Sequence, residues 1–359
     1  LPPSYREGGT GVRLSNLSDS SENSENSENN RNSQKEFITL YAEKELTTTL
    51  SPSFPKGKTE ERITYNTMKN TVVGLGEILW DVFPERKVLG GAPANFAYHV
   101  SQFGFNGYAV SAIGGDLLGK EILKSLEEKE LNYIIEKTDF PTGTVKVQLD
   151  GRGVPTYEIS ENVAWDNIPF SSRIENLAKN TNTVCFGSLA QRSEVSRATI
   201  HKFLDLMPAE SLKVFDINLR LKYFSKEVIA DSLDKATALK INDEEIVKIA
   251  EMFNLQGSDE EMCKHLLEKY NLKFLILTQG TRGSYVFTPN EKSFLGTPKV
   301  TIADTVGAGD SFTAAFVASY INGRSIAQSH QLAVEVSAYV CQQHGAMPRL
   351  ADAHLELFR

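Results

Sequence analysis

The chain has 359 residues, 40% of them apolar and 23% charged, with a formal net charge of −8. These values exclude a fibrous or wholly disordered chain and argue against a nucleic-acid or anionic-membrane surface. No apolar run reaches the roughly 18 residues of a membrane span, and three scattered cysteines (Cys185, Cys263, Cys341) with no CxxC spacing fit a reducing cytoplasm.

Residues 1–67 repeat Ser-Glu-Asn three times between Ser21 and Asn29 and carry few apolar side chains. Such a stretch buries too little surface to offset the entropy of ordering it. It lacks the basic and apolar regions of a secretory signal. The expectation is a disordered tail or an over-extended reading frame, with Met68 as the start and residues 68–359 as the folded domain.

From Val72 onward strands and helices alternate. Thr71-Val-Val-Gly-Leu75 predicts a buried strand. Gly74-Leu-Gly76 resembles the opening of a dinucleotide fingerprint, but Leu79 stands where the third glycine belongs, and a Rossmann site is rejected. Trp80-Asp81-Val82 closes this first strand-like region, and Asp81 by itself reads as a turn cap. In Gly90-Gly91-Ala92-Pro93-Ala94-Asn95, two glycines let the backbone approach a ligand. The Asn95 amide there can donate to and accept from hydroxyls. Gly114-Gly-Asp-Leu-Leu-Gly119-Lys120 nearly matches a P-loop, yet Glu121 occupies the place of the Mg²⁺-binding hydroxyl. It reads as a turn before an amphipathic helix over Leu118–Glu130. Thr142–Asp150 and Thr156–Ile159, around Gly151-Arg-Gly153, alternate as a β-hairpin standing outside the helical layers.

Further strands are predicted over Asn182–Phe186, Leu212–Ile217 and Lys273–Thr278, and helices over Glu194–Met207 and Asp243–Phe253. The alternation predicts an α/β fold: a mainly parallel sheet with helices on both faces and ligands beyond the carboxyl ends of its strands. Phe215-Asp216-Ile-Asn218-Leu-Arg220 ends one of those strands. Asn242-Asp-Glu-Glu245 opens a helix whose acidic first turn needs no further explanation. Thr278-Gln-Gly280-Thr-Arg-Gly283 makes a glycine-rich turn after another strand.

The run Asp304-Thr-Val-Gly-Ala-Gly-Asp310-Ser-Phe312 carries the most chemistry. Gly307 and Gly309 open backbone angles that let successive N–H groups converge. An apolar helix, Phe312–Tyr320, would begin at the same spot, and helix N-termini attract negative charge. Asp310, at the mouth of that nest, is either a capping acid or a general base for an attacking hydroxyl.

Together, Gly76-Glu-Ile-Leu-Trp-Asp81, Gly90–Asn95 and the Gly307–Asp310 loop resemble the signatures of PfkB (ribokinase-like) carbohydrate kinases, fructokinases above all. The resemblance spans about Val72 to Arg349. It implies a ribokinase-like three-layer α/β/α sandwich with a small β lid, its strands around 80–91 and 142–160. It implies transfer of the γ-phosphoryl of ATP to a primary hydroxyl of a sugar, with D-fructose first and 2-keto-3-deoxygluconate, ribose or a nucleoside as alternatives. A non-catalytic sugar-binding homologue is disfavoured because loop and acid are both intact. In that pattern Asp310 is the base, and the amides of Gly307, Ala308 and Gly309 form the anion hole. Asp81, Gly90, Gly91 and Asn95 hold the sugar, and Arg220 contacts substrate or phosphate. Asn242 and Glu245 resemble an Asn-x-x-Glu pair that holds Mg²⁺ through water beside the nucleotide. Thr278, Gly280 and Gly283 match the nucleotide loop. Asp304, with Gly345-Ala346 after a helix over Gln331–Gln343, matches a site for a monovalent cation such as K⁺. Lid strands pairing between subunits would make a homodimer, with no nucleic-acid or membrane partner. One departure stands out: Val334 and Glu335 replace the Asn that ribokinases carry, so the resemblance assigns no adenine contact.

Overall fold

The structure, a computed structural model, describes residues 70–149 and 155–358. The expected N-terminal extension, the start at Met68 and the turn of the 142–159 hairpin lie outside the described residues. In chain order the elements are β1 (Thr71–Leu75), β2 (Leu79–Val82), β3 (Lys87–Gly90), α1 (Ala92–Gln102), β4 (Asn106–Gly114), α2 (Leu117–Glu128) and β5 (Asn132–Thr138). The chain continues through β6 (Thr144–Leu149), β7 (Pro155–Ile159), α3 (Ser172–Lys179), β8 (Thr183–Phe186), α4 (Glu194–Leu206), β9 (Leu212–Asp216) and α5 (Lys226–Lys235). It closes with β10 (Ala238–Asn242), α6 (Asp243–Phe253), α7 (Asp259–Lys269), β11 (Phe274–Thr278), β12 (Ser284–Phe287), β13 (Lys292–Leu295), α8 (Ala308–Ile321) and α9 (Ile326–Val340).

Nine strands form one sheet in the order β13-β12-β11-β10-β9-β8-β1-β4-β5. Pairing is parallel from β5 through β11, and β12 and β13 add an antiparallel edge. The continuous apolar runs of the inner strands have a direct cause: both sheet faces are buried. Val72, Val214 and Phe274 pack on one side with residues of α1, α8 and α9. Val73, Phe215 and Leu275 pack on the other with residues of α3 to α7. Helix α8 is apolar all round because it is enclosed; Ser311 through Ser319 are all buried. Helix α9 starts earlier than its apolar pattern suggests, because Ser325 and Gln328 form a reciprocal capping box.

A second sheet of four strands, ordered β3-β2-β6-β7, stands apart from the large one. Strands β2 and β6 pair in parallel, with β3 and β7 antiparallel on the flanks. Asp81 therefore does not extend the first strand: it belongs to the small sheet, since the chain leaves β1 at Gly76 and re-pairs as β2. The P-loop look-alike is a helix start, where Asp116 accepts from the amide of Gly119 at 2.8 Å and from the Thr142 hydroxyl at 2.6 Å. Gly74 is a packing residue, because a side chain there would overlap the carbonyl of Pro93 in α1. Among the described residues no helix is long and apolar enough to cross a membrane.

Candidate active site

Helix α8 lays its first turn over β9 and β10, with Gly309 against Lys240 and Thr313 beside Asp216. Its N-cap, Gly307, has φ 79°, and a side chain there would press within 2.7 Å of the backbone of Ala346. Only glycine fits this position. First-turn amides of a helix have no intrahelical acceptor. The amide of Ala308 turns back to the Thr305 carbonyl at 3.3 Å. Of the three residues expected to form the cradle, Ala308 thus has its N–H engaged within the loop.

Asp310 lies within that first turn, not beyond it. The Nδ2 of Asn95 donates to its Oδ2 at 2.7 Å, across 215 residues of sequence. Asn95 is held by α1, whose first hydrogen bond runs from its own amide to the carbonyl of Gly91, at φ 114°. Its Oδ1 is buried and has no hydrogen-bond partner among the described residues. Burial pushes the Asp310 carboxyl upward in pKa, while the Asn95 hydrogen bond and the charges of Lys240 and Arg220 hold it back.

Asp81 on β2 faces the same centre. Its Oδ2 lies where a side chain on Gly90 would be, so the glycine makes room for the carboxylate. Burial raises Asp81 to about 6; Arg220 lowers it and the charges of Asp304 and Asp310 raise it. Arg220 is exposed, on a loop flanked by two left-handed residues, Asn218 at φ 44° and Leu221 at φ 48°. Its charge acts on Glu77, Asp81, Asp216 and Asp310 alike, which puts it at the hub of the acidic groups. A cleft lined by Ala92, Pro93, Phe96, Asp216, Asn218 and Asp310 opens here.

Asn242 and Thr278 are register partners at the ends of β10 and β11. Asn242 caps α6, accepting from the amides of Glu244 and Glu245 at 3.0 and 2.8 Å. Glu245 is 3% exposed, and each carboxylate oxygen accepts a backbone N–H at 2.9 Å, from Leu219 and Asn242. These two bonds join the Arg220 loop to α6. Among the described residues no group of three or more acid, His or Cys side chains is arranged to hold a metal. In the 278–283 turn, Gly280 has φ 54° and Gly283 φ 133°, and a side chain on Gly283 would overlap the Leu295 carbonyl. Asp304 accepts from the amide of Val306 at 3.0 Å and from that of Gly345 at 3.3 Å, tying the α8 entry to the loop after α9.

Three groups were not read from the sequence as site residues. Glu77 is 3% exposed beside these acids, and its Oε2 has no hydrogen-bond partner among the described residues. Burial, with the nearby charge of Asp310, raises it to about 7. Lys240 and Asp216 form a buried ion pair at 3.0 Å beneath Gly309. His99, one turn after Asn95, hydrogen-bonds the Ala346 carbonyl at 2.9 Å and braces the loop that packs on Gly307. Burial lowers its pKa to about 4, so the ring is neutral and donates Nε2–H. A charged residue inside the apolar strand Ala238–Ile241 was the available signal for Lys240. Glu77 and His99 carry no comparable mark.

Residues 70–353 match the model of the pfkB family carbohydrate kinases, and the chain belongs to that family. It is 28% identical over 311 residues to an ATP-dependent 6-phosphofructokinase of Thermoanaerobacterium thermosaccharolyticum, covering 81% of this chain and 94% of that protein. It is 26% identical to a fructokinase of Salmonella typhimurium, covering 77% and 92%. The fold superposes on a fructokinase from Xylella fastidiosa solved with bound ATP at a TM-score of 0.72, with 19% identity over 81% of this chain and 98% of that one. The architecture is the ribokinase-like α/β sandwich with a small β lid, and the protein is a sugar kinase.

Proposed function

We infer that the chain phosphorylates a primary hydroxyl of a free sugar with ATP, and that D-fructose is the acceptor. The observation that carries this reading is the 2.7 Å contact of Asn95 with Asp310. It joins the glycine-rich segment of the lid side to the first turn of α8 at one point.

A sugar held beside Asp310 would meet the Asp81 carboxylate from the lid, an acceptor suited to hydroxyl donors, with Asn95 of α1 at the shared contact. Its reacting hydroxyl would face Asp310. Burial makes that carboxylate a stronger base than an exposed one, and the Asn95 hydrogen bond aims it. As the hydroxyl loses its proton to Asp310 and attacks, negative charge on the transferring group falls against the amides of Gly309 and Asp310. Such preorganised donors are worth most in a dry site. Arg220 is the exposed cation of the acceptor side, fit to contact phosphate. Thr278, Gly280 and Gly283 would let a nucleotide lie close to the backbone. Magnesium, when bound with the nucleotide, neutralises phosphate charge, and a hard cation of this kind keeps mostly phosphate and water oxygens as ligands. Asn242 and Glu245 would then shape the floor of the nucleotide site. Asp304 and the Gly345 loop are the residues suited to a monovalent cation. A cytoplasmic setting accords with three unpaired cysteines.

The test is ADP release measured across D-fructose, fructose 6-phosphate, ribose, 2-keto-3-deoxygluconate and adenosine. The highest kcat/KM is expected for fructose. A preference for fructose 6-phosphate would move the assignment to phosphofructokinase chemistry, and no turnover with any acceptor would defeat it altogether.

A further inference from the structure

Lys240 sits in β10 between Leu239 and Ile241, all of them buried. Its Nζ is 3.0 Å from Oδ1 of Asp216 on the neighbouring strand β9. The same ammonium lies 3.3 Å from the point where a Cβ on Gly309 would stand. It is thus packed directly under the first turn of α8. The hydroxyl of Thr313 lies between the second oxygen of Asp216, at 3.4 Å, and the carbonyl of Gly309, at 3.0 Å, binding the pair to the same turn.

A buried ion pair is seldom a net stabiliser compared with apolar side chains of similar volume. Its retention in the middle of an apolar sheet therefore calls for another role. The ammonium is the end of the pair nearer Gly309, so the dipole of the pair adds to the roughly half charge of the helix N-terminus. The titratable and charged groups around Asp310 are Glu77 after β1, Asp81 on β2, Cys185 on β8, Asp216 on β9, Arg220 on the loop beyond it and Lys240. Of the two cations, Arg220 is exposed and Lys240 is buried and held by its partner.

We propose that Lys240 is a positioning residue for phosphoryl transfer: Asp216 fixes its charge beneath Gly309, where it strengthens the amide cradle toward the transferring group and keeps Asp310 an anion. The proposal rests on the sugar-kinase reading above and adds to it a residue of the strand layer that touches neither substrate.

The experiment replaces the pair by apolar side chains, Lys240→Met with Asp216→Leu, and separately makes Lys240→Gln, which keeps a donor for Asp216 while removing the charge. Thermal unfolding, steady-state kinetics and calorimetric binding of ADP with and without aluminium fluoride are measured for each. The expected result is a folded double variant with near wild-type melting temperature and kcat lower by about 10²-fold, the scale of losing one anion-hole donor. ADP alone should bind as in the wild type, and the ADP–aluminium fluoride complex more weakly by a similar factor. Lys240→Gln, which leaves Asp216 in the cleft, should lower kcat by a similar factor with acceptor KM unchanged. A folded variant of either kind that keeps wild-type turnover and fluoride-complex affinity overturns the proposal and leaves the pair a packing feature. Should the wild type phosphorylate none of the acceptors, the kinase reading fails, while ADP–aluminium fluoride binding still reports on Lys240.

Discussion

Replacing Glu77 by Gln gives a stability test whose sign reverses with pH. The carboxyl is 3% exposed, with one oxygen unpartnered among the described residues, and burial raises it from an ordinary 4.5 to about 7. Below about pH 4.5 folded and unfolded chains both hold the proton, and no penalty exists. Between 4.5 and 7 the unfolded chain releases it first, so the folded state binds more protons and stability falls as pH rises. Above pH 7 the full penalty is present. Moving a carboxyl from 4.5 to about 7 corresponds to about 3 kcal/mol. Gln removes this penalty but sets an NH₂ at the unpartnered position, which costs about 1 kcal/mol at every pH. The variant should therefore be less stable than the wild type by about 1 kcal/mol at pH 4 and more stable by about 2 kcal/mol at pH 8. Urea unfolding followed by tryptophan fluorescence at both pH values reads the double difference directly, since every other titrating group is common to the two proteins. A double difference below about 0.5 kcal/mol, within the error of such extrapolations, would refute the claim that Glu77 is held protonated.

Asp310→Asn should lower kcat by at least about 10²-fold with acceptor KM nearly unchanged, because the variant keeps the shape and loses the base; steady-state kinetics decide it. Gly90→Ala forces the Asp81 carboxylate aside without touching Asp310. Acceptor KM should rise about 10- to 100-fold, the value of one charged hydrogen bond, and an unchanged KM would remove Asp81 from the acceptor site. Arg192 holds both oxygens of the buried Asp166, at 2.7 and 2.8 Å, and lies 4.1 Å over the Trp165 ring. Arg192→Met leaves a buried carboxylate alone and should cost about 3–5 kcal/mol by urea unfolding.

The amino-acid sequence by itself determined the layer architecture. Runs such as Phe274–Thr278 are apolar at successive positions because both faces of the sheet are covered, and that pattern is local. It also marked Gly307 and Gly309, since a left-handed N-cap and a close approach leave glycine as the residue that fits. The local pattern alone ran Trp80–Val82 on from the first strand, because a pairing partner 60-odd residues away, β6, decides which sheet Asp81 joins. Only the tertiary structure could decide how the carboxyl groups share charge. Asn95 aims Asp310, Lys240 lies beneath it, and Glu245 accepts from two amides. None of these relations has a period or a spacing along the chain. They exist because strand ends far apart in sequence converge at one edge of the sheet, and electrostatic effects there depend on distance and burial, which the order of residues does not encode.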